Sequence, residues 1–325
     1  MADKFQYLKS IFPGVALALI FCFFSQGINN VLAIEIFGTE KSPISTVLIA
    51  ILLGILMGNA FTPRPGMMIG LDFTQQYILK LGIIFLGIRL SFTDLIKFGS
   101  VAIPLVIFCI LGVLILIKLL IKKVPISSKM SYLIAIGTSV CGATAIVATA
   151  PVINAKKTEI AYAIANITLF GVIAMLVYPY FAEWYFDNNA LEAGLFLGTS
   201  IHETSQVAAA GLIYDQQFNN PNTLDVATVT KLIRNTFLVI LIPLFAFLYN
   251  RGEFKEQKYS LLSIFPYFVL GFIGMIILRN LGDQFFTFEN DNFYAWSKFI
   301  EYLKILATVF LTMAMAAVGI SINLG

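Results

Sequence analysis

The sequence predicts an all-α polytopic membrane protein of the inverted-repeat transporter class, with two broken or re-entrant helical segments. Three observations lead there. Hydrophobic residues fill 59% of the 325 positions and charged residues only 12%, whereas a soluble domain carries about 25% charged residues. Apolar runs of about 20 residues, the length that spans hydrocarbon, recur from end to end. One polar phrase also occurs twice inside those runs. Its copies are Gly137-Thr138-Ser139-Val140-Cys141-Gly142-Ala143-Thr144 and Gly198-Thr199-Ser200-Ile201-His202-Glu203-Thr204-Ser205-Gln206. Helix-breaking, hydroxyl-rich segments repeated in an apolar chain point to a binding site between two repeats.

The spans are read at about 12–32, 43–60, 75–92, 98–121, 157–181, 224–249, 260–280 and 299–322, with the repeated segments at 130–152 and 190–211 as extras. The first follows Lys4 and Lys9 and shows no small-x-small cleavage site before Gln26, so it is expected to stay uncleaved. Pro63-Arg64-Pro65-Gly66 punctuates the second link, and the charged stretch 251–258 a later one. Trp184, Trp296, Tyr178, Tyr180 and Tyr185 fall at span ends, where amphipathic rings favour the headgroup layer. Cys22, Cys109 and Cys141 have unrelated spacings, which gives neither a disulfide framework nor a zinc pattern. A net charge of +3 is too small to suggest nucleic acid.

Charge placement decides how the repeated segments run. Lys4 and Lys9 put the N-terminus in the cytoplasm, and Lys122, Lys123 and Lys129 return there. If 130–152 crossed fully, Lys156 and Lys157 would lie outside, and the acidic link of Glu183, Asp187 and Glu192 inside. If each segment dips in and returns, both assignments reverse. Arg251, Lys255 and Lys258 then fall inside, with Asp283, Glu289 and Asp291 outside. A second similarity, between 81–90 and 313–322, shares a Gly-Ile-x-(Leu/Ile) ending. Only re-entrant segments make both pairs antiparallel.

The breaks are expected at Gly137, Gly142, Gly198 and Gly211, with Pro151. A break exposes helix N-termini, whose free N–H groups attract anions. Thr138, Ser139, Thr144, Thr199, Ser200 and Ser205 would add hydroxyl donors, Cys141 would line the site, and Gln206 would offer its amide. For Ala143, Ala148, Ala208 and Ala209 tight helix packing is the better reading. His202 is the sole histidine. An ionised carboxylate inside a bilayer costs several kcal/mol, so Glu203 requires a proton, a partner or water. That suits proton exchange tuned by His202, or a structural bond that closes the hairpin. Lys231 and Arg234 share one helical face. They either snorkel to the headgroups, or balance an anion and pair with Glu203. Asn166 and Thr168 are weaker candidates, and Arg89 would close a helix end.

These residues resemble a known family. Gly137 to Ile146, Ala150-Pro151-Val152-Ile153, Gly198 to Gly211, Lys231-Leu232-Ile233-Arg234 and Ala314-Met315-Ala316 are similar to the YeiH-type conserved bacterial membrane proteins, named as a sulfate exporter family. The similarity covers essentially the whole chain. It implies a multi-pass protein of the bacterial inner membrane that exports a small anion, with broken helices in inverted repeats. Family members usually continue into a basic loop and one more span, whereas this sequence stops at Gly325.

The expected protein is a single transmembrane domain, 1–325. Its core is formed by about 75–181, 190–250 and 299–322, and its scaffold by the rest. It would move sulfate or a related sulfur oxyanion by alternating access, without a cofactor and with H+ or Na+ as the coupling ion. The alternatives are a coupled transporter of another small organic anion, a passive channel, or an intramembrane enzyme. The last lacks a second histidine for a His-Glu-x-x-His zinc site. Expected partners are the bilayer and the anion, with a homodimer allowed and nucleic acid excluded.

Overall fold

The computed structural model describes residues 2–36, 44–61, 64–121, 123, 125–249, 266–286 and 293–322. Lys122, Arg251, Lys255, Lys258, Glu289 and Asp291, used above to orient the spans, lie outside those residues. Among the described residues every regular element is helical. In chain order these are α1 (Ala2–Val31), α2 (Thr46–Ala60), α3 (Pro65–Phe73), α4 (Leu79–Leu86), α5 (Phe92–Leu120), α6 (Ser128–Ser139) and α7 (Ala143–Thr149). There follow α8 (Lys157–Phe186), α9 (Ala190–Ser200), α10 (Thr204–Phe218), α11 (Thr223–Thr236), α12 (Leu238–Tyr249), α13 (Phe268–Phe285) and α14 (Phe293–Ser321).

Seven helical stretches of the described residues are long and apolar enough to cross a membrane. The protein is therefore an all-α polytopic membrane protein. Several span limits move. The span read at 75–92 begins at Pro65 and runs to Arg89 through a wider turn at Thr74–Ile78. Pro65 occupies the first helical turn, where a missing N–H costs nothing. The span read at 260–280 is helical over Phe268–Phe285, and its polar end is held by Arg279 donating to Asp283 at 2.6 Å, one turn on. The stretch 224–249 is two helices, interrupted at Phe237.

The chain forms two compact units. The first comprises Met1–Phe92, Gly211–Asp225 and Phe268–Gly325, and the second Thr93–Ala210 and Val226–Tyr267. Of the segments read as core, 75–92 and 299–322 fall in the first unit. Within that unit α2 and α14 touch backbone to backbone. A Cβ on Gly54 would sit 2.6 Å from the Ala316 carbonyl oxygen, so only glycine allows the approach. Arg89 does not merely close a helix end. Its guanidinium pairs with Asp215 at 3.2 Å and Asp225 at 3.0 Å and donates to the Pro221 carbonyl.

The second unit holds both repeated segments. Its core joins α6, α7, α8 and α12 through Leu133, Ile136, Ile146, Ile153, Ala163, Ile167, Leu238 and Ile242.

Candidate functional site

The first repeated segment is a hairpin. Ser127 caps α6 by accepting from the Met130 N–H at 3.1 Å, and its hydroxyl donates to Glu159 in the first turn of α8. Glu159 in turn accepts from the Lys156 N–H at 2.8 Å. Lys129 reaches the Asn154 carbonyl beyond α7 at 2.6 Å. The start of α6, the end of α7 and the start of α8 therefore lie together. Gly137 packs on Ile167, which shows that α6 and α8 ascend in parallel. Between them α7 must return. The turn falls at 140–142, where Gly142 has φ +68° and ψ −126°, a conformation that glycine alone adopts readily.

The second segment enters from the other end of α8. Asp187 and Asn188 reverse the chain with positive φ, and Asn189 caps α9 through the Leu191 and Glu192 N–H groups. Phe196 of α9 packs with tilted rings against Tyr178, Phe181 and Phe186 of α8, so the two helices run antiparallel. At the 201–203 break the chain turns back. Asn235 donates to Thr204 at 3.0 Å at the start of α10, whereas Gly211 further on packs against Leu224 in the first turn of α11. α10 thus descends antiparallel to α11. The two hairpins enter from opposite ends of α8, as the basic and acidic links had implied.

Their tips meet. Gly142 lies against the Glu203 side chain, Gly137 against Ile167, and Gln206 against Gly171. Ile167 and Gly171 are ten and fourteen residues into α8, which places the meeting point about 15–21 Å along that helix. Against a hydrocarbon core of about 30 Å, that is close to mid-depth.

Two cations from α11 close the junction. Lys231 and Arg234 are 0% and 2% exposed, which rules out snorkelling to headgroups. Lys231 Nζ donates to Val140 O at 2.7 Å in the first hairpin, and to Ile201 O at 3.1 Å and His202 O in the second. Arg234 donates to Ser139 O at 2.8 Å and Thr138 O, and across to Thr199 O. The last carbonyls of a helix have no intrahelical donor and carry a partial negative charge. Here the C-terminal ends of α6 and α9 converge, and each cation bridges both. Lys231 therefore spends its three donors on carbonyls rather than on an ion pair with Glu203, which corrects that expectation.

Glu203 turns the other way. Its carboxylate lies within electrostatic reach of the Ala143 N–H, at the first residue of α7, and of the Thr168 hydroxyl of α8. His202 is half-buried, and its Nδ1 has no hydrogen-bond partner. Cys141 is half-buried in the first break, Thr138 and Ser205 are half-buried beside the breaks, and Thr144 is exposed.

Other expectations need correction. The hydroxyls of Ser139 and Thr199 donate to Ala135 O and Leu195 O, each at 2.7 Å, and that of Ser200 to Phe196 O. Their protons are spent on the preceding turn of their own helix, a habit of Ser and Thr in helices. Gln206 is 1% exposed and donates to the Thr168 carbonyl at 3.4 Å, which knits the second hairpin to α8. Gly137, Gly198 and Gly211 are not break points. They lie inside helices where a Cβ would collide with Ile167, Thr230 and Leu224. The second break contains no glycine at all.

Sequence reasoning missed Asn235, and Thr228 and Thr230, whose buried hydroxyls have no hydrogen-bond partner. The signal was present. Thr228, Thr230, Lys231, Arg234 and Asn235 crowd one stretch of an otherwise apolar region. No cluster of metal-ligating side chains occurs among the described residues.

A family model described as conserved hypothetical protein 698 matches residues 13–325. The chain belongs to this family. That agrees with the resemblance to the YeiH-type membrane proteins. A UPF0324 membrane protein of Streptococcus agalactiae serotype V is 34% identical over 278 residues, covering 84% of this chain and 79% of the relative. A UPF0324 membrane protein of Fusobacterium nucleatum is 35% identical over 297 residues, covering 89% and 84%. One of Streptococcus pyogenes serotype M3 is 35% identical over 279 residues, covering 85% and 79%. No solved structure matches the chain.

Proposed function

We propose that this family member is a secondary transporter of a small anion, sulfate or a related sulfur oxyanion by the resemblance, and that it works as an exporter. Its cargo binds where the two hairpins meet, and alternating access exposes that point to each side in turn. The observation that carries the reading is the meeting of two broken hairpins, entered from opposite ends, around buried Lys231 and Arg234 and half-buried Glu203. Broken helices at mid-depth between inverted repeats are how secondary transporters hold charged cargo, and irregular backbone at that depth is tolerated only against protein or water.

Two cations against one carboxylate leave a positive surplus, which supports an anion over a cation as cargo. Lys129, Lys156 and Lys157 gather at one end of α8, and Glu183, Asp187 and Glu192 at the other. We take the first end as cytoplasmic by the positive-inside rule, and assign the protein to the inner membrane with its N-terminus inside. Glu203, set between the tips, is the residue we assign to proton coupling, with His202 beside it.

The test is flux of radiolabelled sulfate, sulfite or taurine into liposomes holding the purified chain. Glu203→Gln is expected to abolish the dependence of rate on a pH gradient, and His202→Ala to alter it. Wild-type rate and pH dependence in both variants would remove the site from the mechanism.

A further inference from the structure

Lys231 is wholly buried, and oxygens alone hold its ammonium: those of Val140, Ile201 and His202. These carbonyls come from two separate chain breaks, one in each hairpin. Carbonyl oxygens gathered at unwound backbone within a membrane are the ligands that free alkali-metal ions take in broken-helix sites. A primary ammonium carries the same single charge and offers three donors, and here a side chain tethers it. Arg234, one helical turn on, covers the carbonyls of Thr138, Ser139 and Thr199 in the same way. The positive charge that two converging helix C-termini call for is thus supplied by the protein itself.

We propose that Lys231 is a tethered substitute for a free monovalent cation at the hairpin tips, so that the junction forms without sodium. The role of this junction in transport rests on the reading above, whereas the substitution itself is a property of the folded protein and is read from stability. The proposal also bears on coupling: a cycle that passes through these tips draws no sodium there, and Glu203 remains as the group that responds to ions.

The experiment compares melting points of the purified full chain in sodium chloride, methylammonium chloride and choline chloride at equal ionic strength. The wild type is expected to melt alike in all three. Lys231→Ala, which opens a space lined by the three carbonyls, is expected to melt lower in choline and to recover in methylammonium or sodium, because a ligand of the native state raises its melting point. Lys231→Met refills the space without charge and is expected to melt low in every salt.

A saturable, sodium-specific rise of more than about 2 °C in the wild type overturns the proposal, as does a Lys231→Ala protein that answers all three salts alike. Should Lys231→Ala fail to accumulate, the wild-type comparison decides alone: equal melting in sodium and choline upholds the proposal, and a sodium-specific rise overturns it. Flux that ignores Glu203 would sink the transport site and leave this salt response untouched.

Discussion

Replacing Gly142 by alanine tests the geometry of the tips most directly. Gly142 has φ +68° and ψ −126°, a region closed to residues with a Cβ, and holding one there costs about 1–3 kcal/mol. The added carbon would stand 2.7 Å from Glu203 Cγ. To relieve that contact Glu203 must move away from the N-terminal end of α7, where its carboxylate is favoured by about 0.3–1 kcal/mol. The sum is roughly 1–4 kcal/mol, which lowers the melting point by about 2–6 °C in a chain of this length. Gly27 provides the contrast. A Cβ there meets nothing within 4 Å, inside α1 near its C-terminal end, so Gly27→Ala is expected to stabilise by about 0.5–1 kcal/mol. Thermal melting of the purified variants in detergent reads both. In a Glu203→Ala background the collision disappears and only backbone strain remains, so Gly142→Ala should cost less there. Equal costs in the two backgrounds, or a Gly142→Ala protein that melts like the wild type, would refute the reasoning.

Two further substitutions probe the supports of the site. Arg234→Met leaves three carbonyls at two helix ends without their donor; by melting it should lose about 3–5 kcal/mol, and Arg234→Lys should regain only part, since an ammonium lacks the guanidinium's fork. Ser127→Ala removes both the α6 cap and the hydroxyl that holds Glu159 at the α8 cap; it should cost about 1–2 kcal/mol and speed amide exchange in the first turns of those two helices rather than at the tips.

The hairpins were legible because two independent signals agreed. The polar triplet occurs twice, and the lysines at 129, 156 and 157 make sense only if the first segment returns to its own side. The roles of individual residues were harder to read. Glycine marks a break at 142 but marks close packing at 137, 198 and 211, and nothing local separates the two uses. The second break lies at Ile201-His202-Glu203, where a β-branched residue takes an extended conformation because tertiary contacts hold it there. Hydroxyls that looked like substrate donors turn onto carbonyls one turn back. The function of Lys231 and Arg234 could not be read locally either, since their acceptors lie 29 to 96 residues away in sequence.

At each break the chain presents one helix C-terminus and one helix N-terminus, of opposite partial charge. The structure treats the two kinds of end differently. The C-terminal ends of α6 and α9 receive the Lys231 amine and the Arg234 guanidinium, whereas the N-terminal end of α7 faces the carboxylate of Glu203. Arg234 keeps its proton throughout, whereas the carboxylate of Glu203 gains and loses one, so the α7 end can switch its charge. Protonation of Glu203 would raise the charge at the tips by one and weaken its attraction to the N-terminal end of α7; deprotonation would do the reverse. On the proposed reading, anion and proton therefore move in the same direction, so export runs down the anion's own gradient and an inward proton gradient opposes it. The flux assay then has a required sign. Anion movement must run in the same direction as an imposed proton gradient drives protons, and acceleration by a gradient of the opposite sign would exclude Glu203 as the coupling group.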